Sequence, residues 1–434
     1  MALGGGTWLT QNKKLPGTYH NFISKARAFV NLADRGYIAL PDIFDWYKDG
    51  VTTVTAAAFE SDSLSLFGYD YTSDKINSIK DIFKNAHTLF IHAINEGGKA
   101  AENQMAVATH KGVRGNDLTI TVQASVDAPG AYIVQTMFGP SLVDEQTVTD
   151  VTELKDNAFV KFKAVPLEAT AGMPLVGGDN GTEPTGTPWQ KALDNFEAYG
   201  FNALICPSDT KSIKDLFVAY TKRLRDSVGA KFQLVGHDLG AVDHEGVIDV
   251  HNKAVGGTYE LVYWTGGAAG GCAINKSNTN KVYTGNWEVD LDGATTQLEL
   301  ENLLTASKFV FHRVGEETRV LEDINTFTSH TVDKNEDFQM NQVIRVLDQI
   351  AIDTAHLFNK RYLGLVPNDD DGRISLRNDI MAHRKEMQRI RALQNYNADL
   401  LIVEQGASKK AVVMTEEVQP TVAMSQLYVT TTVA

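Results

Sequence analysis

The stretch from Asp399 to Ala434 constrains this chain more than any other. It follows a long helical region, and from Val418 it is rich in Val, Thr, Tyr and Leu, residues that suit a pleated, half-buried strand. Met424, Tyr428, Thr430 and Thr432 fall on one face, and Leu427, Val429, Thr431 and Val433 on the other. Both faces carry apolar groups, so the strand wants a neighbour on each side. Two placements meet that demand: the last strand of the chain's own sheet, or a strand given to a second subunit. The amino end raises the same question. Residues 1–30 read as an arm, with flexible Gly4-Gly5-Gly6, strand-like Thr7-Trp8-Leu9-Thr10, a turn at Pro16-Gly17, and then Tyr19 and Phe22. Trp8 needs a pocket, in its own chain or in a neighbour's.

Composition excludes several classes. At 434 residues, 43% hydrophobic and 22% charged, the chain is an ordinary globular protein long enough for two to four units. No window approaches the ~18 apolar residues of a membrane span. The start, MALGGGTWLTQNKK, lacks the basic-then-apolar pattern of a signal peptide, so folding in a reducing cytoplasm is expected. Cys206 and Cys272 stand in separate apolar surroundings and read as small core residues. A net charge of −14 argues against a general nucleic-acid binder and favours solubility, or a partner with local basic patches.

Hydrophobic periodicity divides the remainder. Residues 31–96 begin an α/β unit: Ser73-Asp74 caps a helix with Ile76, Ile79, Ile82, Phe83 and Ala86 on one face, and Thr88–Ile94 reads as a buried strand. Residues 97–186 change to short alternating strands, such as Leu118, Ile120 and Val122, which predicts an inserted antiparallel β module resembling a sandwich. The α/β pattern resumes over 187–330. Its helices carry Trp189, Ala192, Leu193 and Phe196, then Ile213, Leu216, Phe217, Tyr220 and Leu224; strands are expected at Phe201–Cys206, Phe232–Val235, Leu261–Trp264 and Phe309–Val314, with a helix near 295–306. Such alternation predicts a largely parallel sheet covered on both faces. Residues 331–417 form an α+β C-terminal domain with helices over about 337–362 and 376–394, and 418–434 is the terminal arm strand. The second helix carries Arg377, His383, Arg384, Lys385, Arg389 and Arg391 against Asp379 and Glu386, a basic surface in an acidic chain.

Candidate chemistry is sparse. Leu234-Val235-Gly236-His237-Asp238-Leu239-Gly240 has the strand-then-G-x-nucleophile-x-G form of an α/β-hydrolase elbow with Asp238 as nucleophile. The helix that must follow would contain Gly246 and the β-branched Val247-Ile248, which opposes it. Asp238, Asp243, His244, Asp249 and His251 match no helical metal pair and read as a solvated loop. Asp369-Asp370-Asp371-Gly372 misses the calcium-loop register and reads as a capped turn. Gly266-Gly267-Ala268-Ala269-Gly270-Gly271 lacks the phosphate-loop Lys, so its small residues fit close packing better. No catalytic, cofactor or metal residue is assigned.

Several motifs together resemble one family. They are Ala2-Leu3-Gly4-Gly5-Gly6-Thr7 with Leu15-Pro16-Gly17-Thr18-Tyr19, Phe67-Gly68-Tyr69-Asp70-Tyr71, and Gly112-Val113-Arg114-Gly115-Asn116-Asp117-Leu118. Tyr263-Trp264-Thr265-Gly266-Gly267-Ala268-Ala269-Gly270, Leu321-Glu322-Asp323-Ile324-Asn325-Thr326-Phe327 and Leu427-Tyr428-Val429-Thr430 continue them. Spread over nearly the whole chain, they resemble the contractile tail sheath proteins of bacteriophages, of the type in Gram-positive myophages and phage-tail-like bacteriocins. The resemblance implies a structural, non-catalytic subunit with a subtilisin-like α/β domain lacking its triad. It implies sixfold rings stacked around an inner tail tube, bounded by a baseplate and a tail terminator, that contract to drive the tube through a bacterial envelope. It implies no cofactor, nucleic acid or membrane insertion, and a place in a virion tail or tail-like particle assembled in the host cytoplasm. The arms, here Trp8, Leu9, Tyr19 and Phe22 at one end and Met424, Leu427, Tyr428, Val429, Thr430 and Val433 at the other, would link subunits. Arg384, Lys385, Arg389 and Arg391 would face the tube. An Asp238 hydrolase and a non-contractile self-assembling tube remain the alternatives.

Overall fold

The computed structural model describes residues 34–433. Its centre is a six-stranded sheet of β1 (Tyr37–Asp42), β2 (Val51–Thr55), β3 (Thr88–Ala93), β4 (Ala203–Ile205), β5 (Gln233–His237) and β6 (Val247–Val250), in the order β6-β5-β4-β1-β3-β2. All neighbouring strands run parallel except β2, which pairs antiparallel with β3 at the edge. The central strands are apolar runs because both faces are covered. Ile38, Leu40, Leu89, Ile91, Ala203, Ile205 and Val235 point into one core. Their alternates Ala39, Phe90, Leu204, Cys206 and Leu234 point into the other, against the helices Gly186–Phe196 and Lys211–Lys222. Trp189, Ala192, Leu193 and Phe196 are all buried there, as their spacing predicts. Burial pushes the Cys206 thiol up to about 12, in keeping with a core residue.

One expected strand is a helix. Leu261–Gly271 is helical and almost wholly buried, although Val262, Tyr263 and Trp264 favour strands. Tertiary packing decides it. The helix fills the first core against the sheet and the helix Asn77–Phe83, and its glycines admit the neighbours. A Cβ at Gly267 would overlap the Ile82 carbonyl and stand 3.0 Å from the Ile82 Cα, and one at Gly270 would strike Ile38. The expected strand at Phe309–Val314 also differs: Phe311–Val314 forms a hairpin with Glu317–Val320, joined to the parallel sheet through a bridge from Phe309 to Val250.

Between β3 and the Gly186–Phe196 helix lies the antiparallel module, a four-stranded sheet ordered Thr170–Pro174, Leu118–Ala124, Tyr132–Phe138, Ser141–Val148. Leu118, Ile120 and Val122 are buried and alternate with more exposed partners, as expected. His110 is buried in this core, its ring stacked on Trp46 at a centroid distance of 4.6 Å.

The chain forms two compact units. The larger holds 34–352, 387–396 and the residues from 418; the smaller holds 353–386 and 397–417. In the smaller, Leu357, Tyr362, Leu376, Ile380 and Leu401 make a core beneath the hairpin Ile402–Gln405/Val412–Thr415. The helix Asp370–Arg389 begins six residues before the expected Leu376. Asp369 is its cap, accepting from the Gly372 amide at 2.8 Å, and Asp370 and Asp371 place acid in the first turn.

Two predictions follow from this packing. Gly267→Val, which must displace the Ile82 backbone, should cost at least about 2 kcal/mol in denaturant unfolding, whereas Gly186→Ala, with open space around it, should cost under about 0.5. Equal losses would contradict the packing role. Burial, with nearby Lys48, depresses His110 to about 3, so the unfolded chain takes up this proton first. The stability tied to it is whole above about pH 6.5 and drains as pH falls towards 3, costing about 2 kcal/mol by pH 5. Melting temperature should therefore fall more steeply from pH 7 to 5 in wild type than in His110→Gln; parallel slopes would refute the assignment.

Candidate assembly surfaces

The expected terminal strand forms only at its root. Gln419–Pro420 pairs antiparallel with Leu393–Gln394, the Thr421 amide donates to the Ala392 carbonyl at 3.0 Å, and the Ala423 amide donates to Gln342 Oε1 at 3.0 Å. Beyond Ala423 no regular structure forms among the described residues. Met424 is 100%, Leu427 87%, Tyr428 87% and Val433 92% exposed, with Val429 and Thr430 also exposed. The Tyr428 hydroxyl donates to Gln426, inside the segment itself. The placement as a last strand of the chain's own sheet is thus not adopted. Large exposed apolar surface of this kind marks interaction sites in general. Trp8, Leu9, Tyr19 and Phe22 lie outside the described residues.

The basic helix divides differently from its sequence pattern. Arg384 is 1% exposed and ion-paired with Glu416 at 2.7 Å, so it cannot face an outside partner as expected. Burying a guanidinium demands a partner, and the sequence pattern shows the charge but not the carboxylate 32 residues on. Lys385, Arg389 and Arg391 are exposed, but Lys385 belongs to the smaller unit and the other two to the larger. Arg391 lies past the helix end, with a positive φ of 63°.

The chemical candidates dissolve into structure. Asp238 ends β5 with φ 45°, as an elbow nucleophile would, but the chain runs on through a loop into β6, which pairs directly with β5. The strand–turn–helix of a hydrolase is missing. The stretch read as a solvated loop is partly buried strand. Asp249 lies in β6, accepts from the Leu239 amide at 3.0 Å and is ion-paired with Lys308, while buried His244 faces Asp226 at 3.2 Å. Asp243 instead accepts from the Thr328 and Ser329 amides at 2.7 and 3.0 Å. Among the described residues no group of three or more His, Cys, Asp or Glu could hold a metal ion.

Sequence periodicity missed the polar anchors. The helix Asn341–Arg361 buries Asn341, Arg345 and Asp348 beside the expected Val343 and Ile344. Arg345 pairs with Asp323 at 2.7 Å, Asn341 also donates to Asp323, and Arg225 forks onto Asp348 at 2.8 and 2.9 Å. Asp323 belongs to the Leu321–Phe327 motif, whose resemblance carried no such role. Two other motifs meet: Arg114 donates to the Gly68 carbonyl at 2.8 Å and lies over the Tyr69 ring at 4.6 Å.

The phage tail sheath protein beta-sandwich domain matches residues 87–180, the central domain 182–326 and the C-terminal domain 333–434. The chain belongs to the phage tail sheath protein family. It is 32% identical to a sheath tail protein from Desulfitobacterium hafniense, over 93% of this chain and 96% of that one, with a TM-score of 0.79. It is 28% identical to protein XkdK of the phage-like element PBSX of Bacillus subtilis, over 98% of this chain and 99% of that protein. The helical sheath of the anti-feeding prophage in its contracted state shares the fold, with a TM-score of 0.56 at 11% identity over 97% of this chain. The family is one of structural sheath proteins, so the chain's role is that of a sheath subunit.

In unassembled sheath protein, chymotrypsin should cut first after Leu427 or Tyr428, before any bond between 34 and 420, because these are exposed and outside the ladders. First cleavage within the body would show the arm to be docked in its own chain.

Proposed function

We propose that the chain is the repeating subunit of a contractile sheath. Copies stack as rings around an inner tail tube, between a baseplate and a terminator, and shorten to drive the tube through a bacterial envelope. The single observation that carries this reading is the exposed apolar segment Met424–Val433. It supplies what a lattice needs: a strand whose pairing with another copy's sheet edge is made of main-chain hydrogen bonds, which side-chain repacking between bodies leaves intact. The segment carries Leu427, Tyr428, Val429, Thr430 and Val433 as its contact groups, with the amino-terminal Trp8, Leu9, Tyr19 and Phe22 as the complementary arm. Contraction is then a downhill repacking of subunit bodies linked throughout by their arms.

The α/β part is a subtilisin-like domain put to scaffolding use, without catalysis or cofactor. The burial of β6 and the lack of a helix after Asp238 support that reading. Lys385, Arg389 and Arg391 remain the cations offered to the tube. The subunit's place is a phage tail or tail-like particle, assembled in the bacterial cytoplasm.

Deleting Met424–Ala434 tests the linkage. Electron microscopy of the full chain should show striated hollow cylinders, and the truncated chain should stay folded but sediment as single subunits, a loss of polymer of at least about tenfold. Intact cylinders from the truncated chain would refute the proposal.

A further inference from the structure

Arg345, in the larger unit, is 1% exposed and only partly matched. Its Nη2 donates to Asp323 Oδ2 at 2.7 Å and to the Lys276 carbonyl at 3.0 Å. Nε and Nη1, which carry more than half of a guanidinium's donors, are buried with no acceptor among the described residues. Asp323 is already engaged elsewhere, accepting from the Asn341 side chain and the Asn278 amide, each at 2.9 Å. Asp348, one turn along the helix, is forked by Arg225.

Further cations of the same unit gather here. Arg35 grips the turn that Arg345 grips: its Nε donates to the Cys272 carbonyl at 3.0 Å, and Cys272 Sγ lies 3.5 Å from the Lys276 carbonyl. Burial, and then the Arg345 charge, pull Arg35 down to about 10. Lys281, lowered chiefly by burial, donates to Asn85 Oδ1 at 2.6 Å. Asn85 Nδ2 is one more buried donor without an acceptor among the described residues.

Open donors on a buried guanidinium are costly, and neighbouring like charges add to the cost. An acceptor that carries negative charge relieves both. Residues 1–33 contain no Asp or Glu, so the stretch ahead of Arg35 has no carboxylate side chain to offer. A monatomic anion needs the least room beside so buried a side chain. We propose that Arg345 and Arg35 hold a small inorganic anion of the halide class, which takes up open Arg345 donors and ties the chain just before β1 to the helix Asn341–Arg361.

The test melts the full, unassembled chain in sodium chloride and in sodium gluconate at equal ionic strength, so that screening is the same and only the small anion can enter. Wild type should melt about 2 °C higher in chloride. Arg35→Gln, at a half-buried position, should fold and lose most of that gain. Arg345→Lys, which keeps a charge beside Asp323 without the open donors, should lose it too. Arg313→Gln, on the exposed hairpin, should keep it. Bromide soaked into wild-type crystals should give anomalous signal within hydrogen-bond reach of Arg345 Nε or Nη1. No chloride gain in wild type, or an undiminished gain in Arg35→Gln, overturns the inference, as does bromide bound only elsewhere. Should Arg345→Lys fail to fold, Arg35→Gln and the bromide position decide it.

Discussion

A run of apolar side chains held in water, with main-chain groups outside any ladder, is the constraint on which the sheath protein's behaviour turns. Burying apolar surface is worth about 25 cal/mol per Å², so Met424, Leu427, Tyr428, Val429 and Val433 together leave several kcal/mol unclaimed in a single copy. A second copy can claim it. The root of the arm is tied down at Gln419–Pro420, Thr421 and Ala423, so the free part begins at Met424 rather than at Val418. Ordering a short tethered segment costs less entropy than ordering a long one, which favours exchange by a segment anchored this close to its free stretch.

The rest of the molecule makes that anchoring meaningful. A strand passed between copies transmits position only if its root is rigid. The larger unit supplies rigidity through a sheet packed on both faces, a glycine-bearing helix set close against it, and the Arg345–Asp323 and Arg225–Asp348 pairs that fix the start of the Asn341–Arg361 helix. In the smaller unit the pairs Asp353–His383 and Arg384–Glu416 are buried. Arg225, Arg345 and Arg384 thus serve internal geometry, and of these only Arg384 had a sequence pattern that suggested an outside partner.

How much of this was legible follows from the physics of each signal. Strict alternation gave the Leu118–Ala124 strand, and a 3.6-residue stripe gave the helix with Trp189, Leu193 and Phe196, because each element buries one face. Leu261–Gly271 was misread since an element buried all round has no periodicity to display, and its opening residues favour strands. β1 and β6 were missed as short strands with buried centres; Val247–Val250 was absorbed into a supposed loop by its flanking Asp and His. The helix start at Asp370 hid behind an acidic cluster that serves as its cap. Of the residues proposed for assembly, the arm stood out because its pattern was apolar on both faces. The burial of Arg384 did not, because its partner Glu416 is distant in sequence and only the fold brings them together.

Hydrogen exchange of the backbone amides from Met424 to Val433, read in the unassembled subunit and again in the cylinder, tests the central claim most directly. The account predicts exchange near the free-peptide rate in the subunit and strong protection in the cylinder, as each amide enters another copy's ladder. Amides that exchange equally fast in both states would contradict it.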